Sequence, residues 1–205
     1  DALKTNAELS MADKVSEMMF GDGTGNAGKD LLGLKALVAE LPTSGTVGGI
    51  SRATYSWWRN YYNTSVGASG TYLLAAISTA LRSICRGNDK KNIVGVCGST
   101  VYGYLQAIAS GKAQFNNPEL ANMNFEALKV EGVDIIYDAN MGISDGLYLI
   151  NTKYTKLYIH QDYNFKMGNF VEPANQDILV AKLKLYAQLT SSRLESCAVL
   201  SGITA

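Results

Sequence analysis

The stretch DILVAKLKLYAQL, residues 177–189, decides how the rest of the chain is read. In it Leu179, Ala181, Leu183, Leu185, Ala187 and Leu189 alternate with Ile178, Val180, Lys182, Lys184, Tyr186 and Gln188. A period of two sends neighbouring side chains to opposite faces, so the pattern predicts one long strand with a single buried face. An ordinary strand has about 5–6 residues. A strand of twice that length is expected to cross between two layers or two lobes.

Outward from that strand, the preceding segments read as Val133 to Tyr137, Leu147 to Asn151 and Lys156 to His160, each a short strand, with Asp138 to Gly146 turn-like between the first two. Cys197 to Leu200 is a short final strand, and IVGVC at 93–97 has the continuous apolar character of a buried one. Helical spacing appears elsewhere. Residues 2–20 carry Leu3, Leu9, Ala12, Val15, Met18 and Met19, and Gly21 stops them. Leu31 to Leu41 predicts a second helix ended by Pro42. Ser69 to Cys85 has a broad stripe of Tyr72, Leu73, Ala76, Ile77, Ala80, Leu81 and Ile84, and Val101 to Ser110 predicts a further helix. Gly21 to Gly28 and Pro42 to Gly49 are glycine-rich loops. Helices cluster early and strands late, which is α+β and not the regular alternation of a doubly wound sheet.

With 205 residues and 22.0 kDa, the chain has room for one large domain or two small ones. Its 47% hydrophobic content excludes a disordered chain. Eighteen basic and eighteen acidic residues leave no net charge, which argues against a partner held mainly through phosphates. Only 18% of residues are charged, and a weakly charged, neutral surface favours association. Cys85, Cys97 and Cys197 are too scattered for a disulfide framework or a zinc site and read as reduced, buried thiols. No apolar run has the length of a transmembrane helix, and no signal peptide opens the chain. The start at Asp1 without a methionine reads as a processed product or a fragment.

Two motifs suggest enzymes. GTGNAGK, Gly23 to Lys29, satisfies the first part of a phosphate-binding loop, but Asp30 stands where a Ser or Thr should hold magnesium, and a helix precedes it where a strand is required. GISDG, Gly142 to Gly146, matches a nucleophile elbow, but a strand follows Ser144 where a helix is needed. His160 is the single imidazole and cannot build a metal site with the dispersed cysteines. Asp134, Asp138 and Asp145 read as solvated loop-edge acids. No nucleophile, base and orienting group assemble, so no catalytic, cofactor or metal residue is assigned.

SRATYSWWRNYYN, residues 51–63, is the feature left over. Adjacent tryptophans in an extended strand point oppositely, so one of Trp57 and Trp58 is available to face another molecule, together with Arg52, Arg59, Tyr61 or Tyr62. Trp, Tyr and Arg dominate interface energetics. An aromatic minicore within one chain is the competing reading. Stacking of single-stranded bases is a third, disfavoured by the neutral charge.

At this point the residues resemble the major capsid proteins of tailed bacteriophages. MFGDGTG at 19–25 followed by GLKALV at 33–38 is similar to the segment after that family's spine helix. GGISRATYSWWRN at 48–60 and the closing part from Val171 to Ala205, ending LSGI, are similar to later segments. The resemblance implies a Hong Kong 97-like fold: a peripheral domain with the spine helix and a long-stranded sheet, and an axial domain of mixed sheet with flanking helices. It places 1–65 in the first part of the peripheral domain, 66–176 in the axial domain and 177–205 in the returning peripheral strand and C-terminal end. The N-terminal arm and extended loop of such proteins have no counterpart here. The implied function is a structural shell subunit of a virion, self-assembling into pentamers and hexamers around double-stranded DNA in the bacterial cytoplasm. The implied partners are copies of itself, with scaffold, portal and decoration proteins and weak non-specific contact with packaged DNA; neither membrane nor cofactor is implied. Alternatives are a cellular nanocompartment shell of the same fold and a nucleotide-binding protein using Gly23 to Lys29.

Overall fold

The computed structural model describes residues 2–67, 70–87, 89–116, 128–143, 145–172 and 178–204. The chain opens with helix α1 (Ala2–Met19), a single turn α2 (Gly25–Gly28) and a short helix α3 (Leu34–Leu37). The hairpin β1 (Thr46–Val47) and β2 (Ile50–Ser51), strand β3 (Tyr61–Asn63), helix α4 (Gly70–Ile84), strand β4 (Ile93–Cys97) and helix α5 (Ser99–Asn116) follow. The remaining strands are β5 (Leu128–Val130), β6 (Val133–Tyr137), β7 (Leu147–Asn151), β8 (Thr155–Ile159), β9 (Lys166–Met167), β10 (Leu183–Lys184), β11 (Ala187–Ser191) and β12 (Ala198–Leu200).

The body is a six-stranded mixed sheet in the order β3-β12-β7-β4-β6-β5. Strand alternation gives it two apolar faces. Leu147, Leu149, Ala198 and Leu200 point to one, where Leu73, Ile77, Leu81 and Ile84 of α4 and Val101 and Leu105 of α5 cover them. Tyr148, Val199 and Val96 point to the other, where Leu31, Leu34, Leu37, Val38 and Trp58 close over them with Met18, Met19 and Phe20 from the end of α1. Leu73, Ile77, Ala80, Leu81 and Ile84 of the expected α4 stripe are buried, whereas Tyr72 in its first turn is exposed; the α+β class of the sequence reading is the observed one.

Three local expectations give way to tertiary structure. The helix expected over 31–41 is confined to Leu34–Leu37. Gly33 is extended before it, pressed so closely on α1 that an added Cβ would lie 2.5–2.6 Å from the carbonyl oxygens of Met18, Met19 and Gly21. The Pro42 to Gly49 loop closes into the β1–β2 hairpin, with Gly48 and Gly49 at φ of 60° and 80°, the left-handed pair that a two-residue turn needs.

The single strand expected over 177–189 is instead one side of a segmented two-stranded ribbon; Asp177 lies outside the described residues. β11 pairs with β8 (Leu189 opposite Leu157), β10 pairs with β9 (Lys184 opposite Lys166), and Val171 and Val180 exchange both backbone hydrogen bonds at 2.9 Å nearer the tip. The break has a cause in the partner. Residues 160–165 oppose only 185 and 186, and the surplus loops out as a 3-10 turn at Gln161–Tyr163 with Phe165 at φ 48°. A bulge of this kind bends a strand and interrupts its ladder. The predicted faces persist from Ala181 onward, where Ala181, Leu183, Leu185 and Ala187 are partly covered and Lys182, Lys184, Tyr186 and Gln188 are exposed, but Leu179, expected on the buried face, is 70% exposed because no layer lies over it among the described residues.

The expected boundary at 176 lies outside the described residues. From 194 onward the chain returns to the body, where β12 sits in the sheet between β7 and β3.

Candidate functional site

The aromatic segment is shaped by a 3-10 turn at Ser56–Trp58, which sends the two tryptophans apart. Trp58 is 7% exposed, packs in the core beneath the sheet, and donates its indole N–H to the Val47 carbonyl at 3.0 Å. Trp57 is 54% exposed and touches Trp58 edge-on at 5.6 Å and Tyr55 at 5.8 Å.

The other four predicted contact residues divide in the same way. Arg52 is buried and its guanidinium donates to the Leu37 carbonyl; burial pushes its pKa below the ordinary arginine value. Arg59 donates from Nε to the Arg52 carbonyl at 2.6 Å and from Nη2 to the Ala53 carbonyl at 2.8 Å, pinning the loop between them. Tyr61 is half-buried in β3 against the main core, while Tyr62 beside it is exposed. Arg52, Trp58 and Arg59 are therefore committed to bonds within the chain, and Trp57 and Tyr62 look outward. Asn60, which sequence reasoning passed over, ties the segment to the core by donating to the Ala39 carbonyl at 2.9 Å.

The enzymatic motifs find no frame. Gly23 to Lys29 follows α1 and not a strand, and Asn26 and Ala27 adopt left-handed φ of 49° and 56°. Asp22 accepts from the Thr24 hydroxyl at 2.7 Å and its amide at 3.0 Å, which holds the carboxyl below its usual range at the mouth of this loop. Ser144 lies outside the described residues. His160 is on the ribbon, where its Nδ1 accepts from the Asp162 amide at 3.2 Å. Asp134 pairs with Lys129 at 3.2 Å, and Asp138 accepts from the Asn140 amide at 2.8 Å. Burial pushes the Cys97 thiol up to about 12, far from a reactive thiolate. Among the described residues, no group of three or more His, Cys, Asp or Glu side chains is placed to hold a metal ion, and no helix is long and apolar enough to cross a membrane.

An outward apolar surface on the ribbon was missed by sequence reasoning. Leu157, Tyr158, Ile159, Phe170, Val171, Ile178, Leu179, Val180 and Tyr186 are all exposed on the ribbon. Its signal was present in Ile178, Val180 and Tyr186, which put apolar residues on both faces of a strand expected to bury only one.

No protein-family profile matches the sequence, and no curated protein matches it either. Solved structures do. The chain is similar to a chain of the cyanophage A-1(L) capsid asymmetric unit, with 18% identity and a TM-score of 0.69 over 98% of this chain and 70% of that one. A chain of the native GTA particle capsid gives 13% identity and a TM-score of 0.58 over 98% of this chain and 65% of that one. A chain of the satellite phage P4 procapsid, which includes the size determination (Sid) protein, gives 12% identity and a TM-score of 0.56 over 100% of this chain and 64% of that one. The chain thus spans about two thirds of the length of the chains it matches. At such identities the likeness is one of architecture, and the fold of this chain is that of a phage capsid protein.

Proposed function

We propose that the chain is a structural subunit of an icosahedral phage or prophage shell, without a catalytic role, assembling with copies of itself as pentamers and hexamers around double-stranded DNA. The observation that carries this reading is the likeness to phage capsid chains over 98–100% of the chain. Physical features support it. Large apolar side chains stay exposed on the ribbon and at Trp57, and contiguous exposed apolar surface marks interaction sites. Shell closure needs heterologous contacts repeated around closed axes, and many modest contacts hold together because later ones form at high effective concentration. The net charge of zero fits a DNA contact that is weak and non-specific. Scaffold, portal and decoration proteins are the further partners this role brings, and the virion is its place. The division we carry forward is a peripheral part of residues 1–65 and 177–205 and an axial part of residues 66–176. A nanocompartment shell is not favoured, because the neighbours that carry the argument are phage and GTA capsids.

Electron microscopy and sedimentation of the expressed chain test the proposal. Rings, sheets or closed particles are the expected result, and a strictly monomeric species at all concentrations refutes it. Trp57→Ala is expected to lower particle yield while leaving the melting temperature unchanged. Trp58→Ala is expected to destabilise the fold itself by about 3–5 kcal/mol.

A further inference from the structure

The neutral total charge of the chain hides a local surplus on the ribbon. Residues 153–193 hold six basic residues against three acids. Two of the six are paired at the ribbon base, Lys153 with Asp89 at 3.4 Å and Arg193 with Glu195 at 2.6 Å. The other four, Lys156, Lys166, Lys182 and Lys184, are exposed. Among the described residues, neither Asp162, Glu172 nor any other carboxylate forms an ion pair with them. Lys166 and Lys184 stand directly opposite each other across the β9–β10 pair, where like charges repel. Their ammonium groups lie 5.6 and 5.9 Å from the centroid of the Tyr163 ring, and one ring offsets only part of that repulsion.

The rings lie on the same side of the ribbon as these charges. Lys156 and Tyr158 alternate onto one side of β8, opposite Thr190 and Gln188. Tyr186, Lys184 and Lys182 continue that side at every second position of the other strand. Leu157 and Leu189, which oppose each other, belong to the reverse side. Tyr163 and Tyr186 stack with centroids 4.5 Å apart, and His160 leans on both. Tyr186 is still 54% exposed, and Tyr158, its diagonal neighbour across the ladder, is 61% exposed. Nearer the tip, Gly168, Val171 and Val180 form an apolar trough rimmed by Lys182 and Lys184.

Unpaired ammonium groups are thus interleaved with open ring faces along one side of a two-stranded ribbon. Phosphates supply the charge this side lacks, and bases supply flat partners for its rings. An acidic peptide brings the charge without the flat partners. A duplex brings phosphates but keeps its bases stacked inside. A single strand brings both.

We infer that the ribbon face formed by Lys156, Tyr158, Lys166, Lys182, Lys184 and Tyr186 binds single-stranded nucleic acid. A phosphate lies between Lys166 and Lys184 and relieves their repulsion, and neighbouring phosphates meet Lys156 and Lys182. Bases stack on Tyr158 and Tyr186, and the trough receives a further base. Every base has a flat face, so the binding is tolerant of sequence. The site goes beyond the shell reading and does not depend on it.

Fluorescence anisotropy of a labelled random-sequence single-stranded oligonucleotide, titrated with the full chain, tests this. Binding at low salt is expected in about the micromolar range, and four lysine contacts predict a slope of log affinity against log salt of about −3. Lys166→Gln/Lys184→Gln is expected to weaken binding and to make that slope shallower by about 1.4. Tyr158→Ala is expected to weaken binding about fivefold or more with the slope unchanged, and Tyr158→Phe to bind as wild type, since stacking needs the ring and not the hydroxyl. Circular dichroism and melting temperature are expected to be unchanged in all three, because the altered side chains are exposed. Absence of binding, or an unchanged slope in the lysine variant, overturns the site. Equal or tighter binding of the matching duplex, insensitive to Tyr158→Ala, also overturns it, since the face then serves phosphates alone. So does a lysine variant that binds the oligonucleotide as wild type but no longer sediments as assemblies, which assigns the face to a contact between copies. Particle formation is scored separately by electron microscopy, so failure of this site and failure of the shell reading are distinct results.

Discussion

In the six-stranded sheet Leu147, Leu149 and Leu200 are wholly covered, while in the ribbon Leu157, Ile159 and Leu179 are 37%, 43% and 70% exposed. The two regions use the same kind of sequence. Both consist of apolar strands of ordinary β propensity with hydrogen-bonded ladders. They differ in what lies above and below them. Helices α4 and α5 cover one face of the sheet, and the end of α1 with residues 31–38 covers the other. Among the described residues, the ribbon has two strands and no covering layer beyond its base, where Leu189 reaches the core. A two-stranded ribbon alone is marginally stable in water. The body therefore closes on itself, and the ribbon keeps its apolar side chains exposed.

This contrast is open to attack by mutation. The largest effect is expected from truncation in the two regions. Leu149→Ala should destabilise the isolated chain by about 3–4 kcal/mol through lost contacts and the cavity left behind, whereas Leu179→Ala should change it by less than about 0.5 kcal/mol. Chemical denaturation of both variants measures the gap, and equal losses would mean the ribbon is packed after all. A smaller effect is expected where α1 meets the body. Gly33→Ala drives a Cβ against three carbonyl oxygens at 2.5–2.6 Å and should destabilise by about 2–3 kcal/mol. Amide exchange should then show the C-terminal turn of α1 losing protection before the sheet does. Uniform loss of protection would show that α1 and the sheet unfold as one unit.

The smallest effect concerns the rim of the body. Glu131 sits at φ 50° in the β5–β6 turn, accepts from the Ser78 hydroxyl of α4, and pairs with Lys90 at 3.2 Å. These bonds hold its carboxyl below the usual glutamate range, the Ser78 bond first. A depressed native pKa means the stabilisation is complete at neutral pH and is lost as pH falls from the ordinary glutamate range through the lowered value. The melting temperature of wild type should thus exceed that of Glu131→Gln at neutral pH, and the difference should vanish in acid. A difference that persists in acid would assign the effect to shape and not to charge.

Much of the body was legible in residue order. The stripe of Leu73, Ile77, Leu81 and Ile84 identified α4, and IVGVC identified β4, because burial on one face imprints its period on the sequence. The short strand β3 was not legible. Tyr61 to Asn63 has three residues, and its strand character comes from pairing with Ala198–Leu200, more than 130 positions away. The candidate contact residues were legible as a class but not as individuals. Trp57 and Trp58 are chemically identical neighbours, and only the 3-10 turn and the Val47 carbonyl decide which one is inside.

By itself the sequence determined periodicity, charge and local stops: which residues share a face, that acids gather toward the beginning and bases along the ribbon, and that Gly21 ends α1. These depend only on near neighbours along the chain. Tertiary structure decided the rest. It broke the strand of residues 177–189, because six residues on its partner oppose two of its own. It carried β12 into the middle of the sheet, and it left the apolar ribbon uncovered. Each of those outcomes depends on what distant segments bring alongside, and periodicity within a strand carries no record of its partner.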